Sequence, residues 1–544
     1  MKRSLTILLL ITFLGLGLRL FRLADRPLGF TWDEAALGYN AFSLLKTGRD
    51  EHGQILPVVF KSFGDYKPGL YIYFTVPSVA LLGLNEFAVR LPSALFGTLL
   101  IPVIFLLTYK LFKKLDIGNS FQISNFKFQI AFAAALLTAI NPWMIHFSRG
   151  AWEANLALFL TCLAAIIFLS RRYTLSSVFF ALTLLSYQGA KLFTPLLIAS
   201  LVSVFGFPRS VKKAVLPASL FLLIILPIIT NFPSQSGRLR IFNVLNYSRN
   251  ADTISRILDQ DGSSGKNLVY YLFHSESYER VKGITERYLN HFSGRFLFGE
   301  GDWSNLRHSV VYHGYFYYVE IIFILIGLIW LIRHPSRGSR LIFLWLLLAP
   351  LPSAFSRDVI SGVRSFPLVI PLILISAIGL SRLAKKTLFV AVAFIALSLG
   401  LLYYFDLYFI HSPHFSAPAW LYPYKTAMEA VSKYGSNYRQ VVFTDQLGQP
   451  YIYTLFYGRE DPKNYQSQVS FLPDPGSDVG RVERFGRYRF RPIYWPVDRG
   501  MSSTLFVGGQ YELPEQDLNM PNLERIGDVY YPDGTHALRI VGLK

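Results

Sequence analysis

The stretch LTILLLITFLGLGLRLF (5–21) decides the fold class, because so long an apolar run is suited to a bilayer core. MKR precedes it, as at a signal peptide, but LRLFRLADRPLGF follows with no small-residue cleavage site, so a retained anchor helix is expected. Comparable runs recur at 88–109, 128–142, 153–170, 173–187, 192–207, 214–230, 314–333, 340–355, 365–380 and 387–405. Of the 544 residues 52% are hydrophobic and 16% charged, which argues against a string of soluble domains. The expected fold class is an α-helical polytopic membrane protein of about 11 spans with an extracytoplasmic C-terminal α/β domain.

The net charge of +19 sits in short clusters beside the apolar runs, the pattern of cytoplasmic loops rather than of a nucleic-acid surface. If GLYIYFTVPSVALLGL (69–84) does not span, MKR, 110–127, Arg171–Arg172, 208–213, 333–340 and 381–386 all fall on the cytoplasmic side. The N-terminus is then inside and the C-terminus outside. Loops 22–87, 143–152, 188–191, 231–313 and 356–364 face out, together with everything after about 406. Residues 1–405 thus form a transmembrane domain with outer loops 22–87 and 231–313, and 406–544 an outer domain. In that outer domain YKTAMEAVSKYG (424–435) predicts an amphipathic helix. RQVVFTD, PYIYTLFYG, RYRFRPIYW, STLFVGGQYEL and ALRIVGL predict strands. Cys162 is the single cysteine, so no intrachain disulfide forms. The chain has no P-loop, GxGxxG, HExxH or CxxC, which argues against ATP-driven transport.

Chemistry therefore has to come from the outer side. FTWDE (30–34) predicts a helix start with Asp33 as N-cap, Glu34 in the first turn and Gly48 near the stop. GDYKPGLYIYF (64–74) predicts a turn at Pro68–Gly69 and then an aromatic helix. Tyr66 and Lys67 precede that turn, and Lys67 can either snorkel or bind a lipid phosphate. In NPWMIHFSRGAWEANLALF (141–159), Arg149 and Glu153 stand four apart, the spacing of a helical ion pair, with Asn155 and His146 nearby. Lys191 marks the outer end of a run. Arg364, just before another, offers a planar fork suited to phosphate oxygens. GDWSNLRHS (301–309) is polar enough to fold over a cavity.

Six stretches in order carry a family likeness: FTWDEAALGYNA, DYKPGLYIY, NEFAVRLPSALFGTLLIP, HFSRGAWEANLALF, SYQGAKLFTPLL and RSFPLVIP. Together they resemble the GT-C membrane glycosyltransferases, in the branch of protein O-mannosyltransferase-like enzymes and aminoarabinose transferases. The resemblance implies a polyprenyl-phosphate sugar donor, a hexose such as mannose, and an inverting displacement at the outer face of the plasma (inner) membrane. It implies Asp33, first of the Asp33–Glu34 pair, as catalytic base. Lys67, Arg364 and Lys191 would bind donor phosphate, and Arg149, Glu153, Asn155 and Tyr66 would line the substrate site. The family has an acidic residue in the second outer loop, where this chain offers Glu153 rather than Asp. The aminoarabinose branch has an acidic residue before Lys-Pro and an arginine after Asp-Glu. Tyr66 and Ala36 stand in those regions here, which argues against that sugar. No nucleotide sugar or obligatory metal is implied, and a divalent metal is compatible though not indicated. The expected partners are the lipid-linked sugar, membrane lipids and an acceptor glycan, lipid or protein. A transporter or flippase, or a ligase of lipid-linked glycans, is the rival reading; the sequence shows no duplicated halves that would favour transport.

Overall fold

A computed structural model describes residues 2–63, 65–112, 121–207, 210–231, 251–263, 265–384, 387–471 and 481–544. Parts of the expected cytoplasmic clusters at 110–127, 208–213 and 381–386, and of the outer loop 231–313, lie outside them. Every expected span coincides with an apolar helix. The first half of the chain gives α1 (Lys2–Leu20), α2 (Trp32–Thr47), α3 (Leu70–Leu82), α4 (Glu86–Phe112), α5 (Phe121–Ile140), α6 (Pro142–Arg149), α7 (Glu153–Leu169), α8 (Tyr173–Leu184), α9 (Ala190–Phe205) and α10 (Val211–Thr230). At the later expected spans lie the helices Glu320–Arg333, Arg337–Leu348, Val369–Leu383 and Thr387–Asp406.

Three helical stretches among the described residues are long and apolar enough to cross a bilayer unaided: Glu86–Phe112, Phe366–Leu383 and Thr387–Ser416. A fourth crossing forms if α5 and α6, bent by 50° at Asn141, count as one. That bend has a local cause. The Asn141 side chain accepts from the Met144 backbone N–H at 3.0 Å and Pro142 occupies the first turn, which starts a new helix. The remaining apolar helices are shorter. One of them is α3, the segment 69–84, whose 13 residues extend about 20 Å.

Three arginines that the bundle buries completely hold these helices and the strap after α1 together: Arg19, Arg90 and Arg149. Each is wrapped by backbone carbonyls, since a guanidinium has five donors and no acceptor to satisfy. Arg19 donates to the carbonyls of Gly15, Thr138 and Ala139, which locks α1 onto α5.

The C-terminal part, expected from the sequence to be the outer domain, holds a seven-stranded sheet with order β4-β5-β6-β3-β7-β9-β8. Its members are β3 (Gln440–Phe443), β4 (Ser470–Phe471), β5 (Val482–Phe485), β6 (Tyr488–Phe490), β7 (Thr504–Gly508), β8 (Leu523–Tyr530) and β9 (His536–Leu543). Central β3 runs parallel to both β6 and β7, and every other pairing is antiparallel. The helix Pro423–Tyr434 falls where the amphipathic pattern predicts it. PYIYTLFYG, expected as a strand, is instead the helix Pro450–Gly458. Pro450 opens it, and Tyr451 through Phe456 are all buried, so the segment lacks the one-sided alternation of a sheet edge.

This domain does not stand apart from the first outer loop. Ala35, Tyr39 and Phe60 share one apolar core with Tyr424, Phe443, Tyr453, Phe456 and Leu505. Tyr453 donates to the Phe30 carbonyl at 2.7 Å and Tyr39 to that of Glu460 at 3.1 Å. The loop after β3 presses on Trp32: Gly448, at φ +121°, leaves so little room that a Cβ would sit 2.2 Å from the indole. The residue next to Asp33 is therefore held by the outer domain.

Candidate active site

The start of α2 is organised differently from the expectation. Thr31, not Asp33, is the N-cap, and it forms a capping box with Glu34. Thr31 Oγ1 accepts from the Glu34 backbone N–H at 3.2 Å, and Glu34 Oε2 accepts from the Thr31 backbone N–H at 3.1 Å. Gly48 closes the helix in the left-handed region, at φ 67°. Glu34 is buried and does more than cap. Arg90 Nε donates to its Oε1 at 2.9 Å and Arg90 Nη2 to its Oε2 at 3.2 Å, while the Ala151 backbone N–H donates to Oε1 at 3.0 Å. A carboxylate so filled has no lone pair free for a reacting hydroxyl, so the expected catalytic part for Glu34 gives way to a positioning one.

Asp33, with capping left to its neighbours, points into the open with its side chain 39% exposed. Two cations from distant parts of the chain meet it. Lys67 Nζ contacts Asp33 Oδ1, and Arg307 Nη1 lies 3.9 Å from Oδ2. Lys67 reaches it from a small hairpin of β1 (Val59–Ser62) and β2 (Asp65–Pro68), where Phe60 pairs with Lys67 and Lys61 with Tyr66. Lys67 also sits 5.4 Å from the Phe63 ring centroid, a cation–π contact. The hairpin is tied to the turn after α8 through Tyr66, whose carbonyl accepts from Gln188 Nε2 at 2.9 Å.

Arg307, unranked in the sequence, belongs to the loop 301–309, and its setting is built. His146 Nε2 lies 2.7 Å from its carbonyl, and Asn305 Oδ1 accepts from its backbone N–H at 3.0 Å and from its Nε at 3.4 Å. A carbonyl can only accept, so His146 carries its proton on Nε2.

The other expected residues divide. Arg149 ends α6, and Gly150–Trp152 break the helix before Glu153, so the four-residue helical pairing does not exist. The Arg149 guanidinium donates instead to the carbonyls of Leu18, Arg19, Phe21 and Arg26 and to the Tyr408 hydroxyl. Asn155 is buried and donates to the Ser93 carbonyl at 2.7 Å. Both are built into the packing rather than offered to a substrate. Glu153 is the first residue of α7, and Lys191 lies in the first turn of α9, half-buried. Arg364 contacts Asp358 and has Ser356 Oγ at 3.4 Å. It lines a cleft between α7 and α9 whose other walls include Leu158, Phe193, Phe366 and Tyr187. That is an apolar slot with one guanidinium at its edge. Among the described residues no group of three or more His, Cys, Asp or Glu could hold a metal ion.

In the loop after α2 lies Glu51, fully buried, with Asn40 Nδ2 at 3.2 Å and the Tyr451 hydroxyl at 3.5 Å. Burial raises its pKa to about 8, while burial pushes neighbouring His52 down to about 4. Folded Glu51 thus keeps a proton that the unfolded chain loses at the ordinary carboxylate value. Stability accordingly falls as pH rises from there through about 8. Glu51→Gln, which removes the charge and keeps an acceptor, is expected to melt a few degrees above wild type at pH 8.5 and close to it at pH 5. Thermal unfolding in detergent at the two pH values checks this; a pH-independent difference would refute it.

These features define a helical membrane-type bundle whose outer loops and α/β domain converge on one carboxylate and two cations. No family model matches the sequence, and no curated protein matches it. Among solved structures, ArnT from Cupriavidus metallidurans in the apo state is similar, with TM-score 0.53 and 12% identity over 99% of this chain and 97% of that one. The structure of ArnT from the same organism bound to undecaprenyl phosphate is similar to the same degree, with TM-score 0.53 and 13% identity over the same shares. At such identities the likeness is one of fold, and it spans both the bundle and the outer domain.

Proposed function

We propose that the protein is an integral-membrane glycosyltransferase that moves a sugar from a polyprenyl phosphate to an acceptor hydroxyl. The observation that carries this reading is the partly open Asp33 carboxylate flanked by Lys67 and Arg307. A displacement at an anomeric carbon needs a base for the incoming hydroxyl and cations for the departing phosphate, and this cluster offers both within one contact shell. The fold shared with ArnT, one structure of which holds undecaprenyl phosphate, supports a lipid phosphate as the leaving group.

In this mechanism the donor phosphate takes up Lys67 and Arg307, which releases the Asp33 carboxylate to accept the hydroxyl proton. The hydroxyl oxygen attacks the anomeric carbon as the phosphate oxygen leaves, and the configuration inverts. The phosphate departs as a stable anion, so no acid is required. Arg364, at the edge of its apolar cleft, would meet the donor phosphate where the lipid chain begins. A hexose such as mannose is the sugar class the sequence likeness favours. The active site and outer domain face away from the cytoplasm. Glu34 and Arg149 hold the backbone around the site in this account, in place of touching substrate.

The test offers purified protein a panel of labelled polyprenyl-phosphate sugars and follows the label into glycan, lipid and protein acceptors. No transfer from any of them would overturn the reading. Lys67→Ala is expected to raise the Kd for undecaprenyl phosphate about 10-fold or more, the loss of one charge-assisted contact. An unchanged Kd would mean that Lys67 only snorkels.

A further inference from the structure

Two arginine-bearing loops, 301–309 with Arg307 and 356–364 with Arg364, are separated in sequence but bound to the same carboxylate. Asp302 is completely buried. Its Oδ1 accepts from the backbone N–H groups of Ser304 and Asn305, both at 3.1 Å, and lies 2.7 Å from Ser304 Oγ. Its Oδ2 accepts from the Gly362 backbone N–H at 2.8 Å and lies 2.7 Å from His308 Nδ1. Asn305, so fixed, is the residue that bonds Arg307 at both its backbone N–H and its Nε. Gly362 stands two residues before Arg364. Its own position is tight: Trp143 Nε1 donates to its carbonyl at 3.2 Å, and a Cβ there would sit 1.8 Å from the Tyr315 hydroxyl. The same hydroxyl donates to the His308 carbonyl at 2.9 Å.

We infer that Asp302, with His308 as its partner, is a positioning residue that sets the two arginines relative to one another for a lipid-linked phosphate. This rests on the donor chemistry proposed above. A buried carboxylate can hold five donors at fixed angles, and it is costly to leave in any other arrangement. The carboxylate stays ionised, because the His308 contact and the Gly362 amide hold Asp302 below the usual carboxylate range despite burial. It touches no reacting atom. Its effect reaches substrate through Asn305 and Arg307 on one side and through Gly362 on the other.

The experiment is a double-variant cycle on the full chain in lipid nanodiscs, reading the Kd for undecaprenyl phosphate and the melting temperature together. Asp302→Asn is expected to weaken binding about 10- to 100-fold, as is Arg307→Ala, and the double variant to be only about threefold worse than either alone. His308→Gln, which keeps a donor toward Asp302, is expected to stay within about threefold of wild type, and His308→Ala to fall with Asp302→Asn. If Asp302→Asn does not fold, the cycle is run with His308→Ala in its place. Multiplicative losses in the cycle, in a protein whose wild type binds undecaprenyl phosphate, would overturn the positioning assignment alone. A wild type that binds no undecaprenyl phosphate and transfers no sugar would overturn the donor reading, and this assignment with it.

Discussion

Asp33→Asn is expected to reduce sugar transfer by about 10²–10⁴-fold, the range a general base contributes, while the melting temperature stays within about 2 °C of wild type. The separation of the two effects follows from the capping geometry. Thr31 and Glu34 satisfy the open amides at the start of α2, so Asp33 has no cap to lose. Its ion pair with Lys67 is partly solvated, with the two side chains 39% and 18% exposed, and such pairs stabilise a fold only weakly. Asn keeps the size and a hydrogen-bonding oxygen but cannot take a proton from the acceptor. Binding of undecaprenyl phosphate should be retained or improved, because the substitution removes a negative charge beside Lys67 and Arg307. The readouts are the initial rate of label transfer and the Kd, measured on one preparation. Transfer at the wild-type rate would refute Asp33 as the base. Loss of binding in step with the rate would point to a structural part for Asp33.

The long bundle helices were legible in the sequence because each is a nearly continuous apolar run, and the helix beginning at 423 because its apolar residues keep helical period. The helix Pro450–Gly458 was not, since an aromatic run buried on all sides shows neither period. The Thr31–Glu34 box was available in T-W-D-E, with Ser/Thr three residues ahead of Glu. Asp33 fits the same N-cap preference, and only the folded backbone assigns the cap to Thr31. Arg90 carried a signal too, as a lone arginine in an apolar run must be matched by a partner, but nothing local says that the partner is Glu34. Arg307 had none. Its loop is recognisably polar, but Asp33 lies far away in the chain, and only the folded bundle brings the two together.

The same limit explains the outer domain. Each strand is short, and the core that joins it to α2 draws on residues as far apart as Ala35 and Leu505. An acidic residue beside Trp32 gains a fixed direction from Gly448 and the loop after β3, contacts no local pattern announces. The consequence is mechanical. The C-terminal domain and the loop that carries α2 form one packed unit around Asp33, so the domain supplies rigidity there whatever else it binds.

Glu34→Ala is expected to cost the fold about 3–5 kcal/mol, the scale for breaking a buried ion pair from one side. The cost falls on Arg90, which is completely buried and would keep its charge without its carboxylate partner. Arg90 also donates to the carbonyls of Leu23, Pro27 and Gly29, and its guanidinium lies 5.3 Å from the Phe30 ring centroid. The strap from α1 to α2 is thereby folded around Arg90, as it is also around Arg149, and Glu34 is the anion that makes the Arg90 cation affordable. Ala151, at the break between α6 and α7, would lose its acceptor as well. Arg90→Ala should be as damaging, for it leaves Glu34 charged in the same interior. Glu34→Ala combined with Arg90→Met should recover part of the loss, since removing both charges leaves neither unpaired. Thermal unfolding and the yield of monodisperse protein measure all three variants. If Glu34 took part in the chemistry itself, Glu34→Ala would instead melt like wild type and fail only in transfer, the profile expected here of Asp33→Asn.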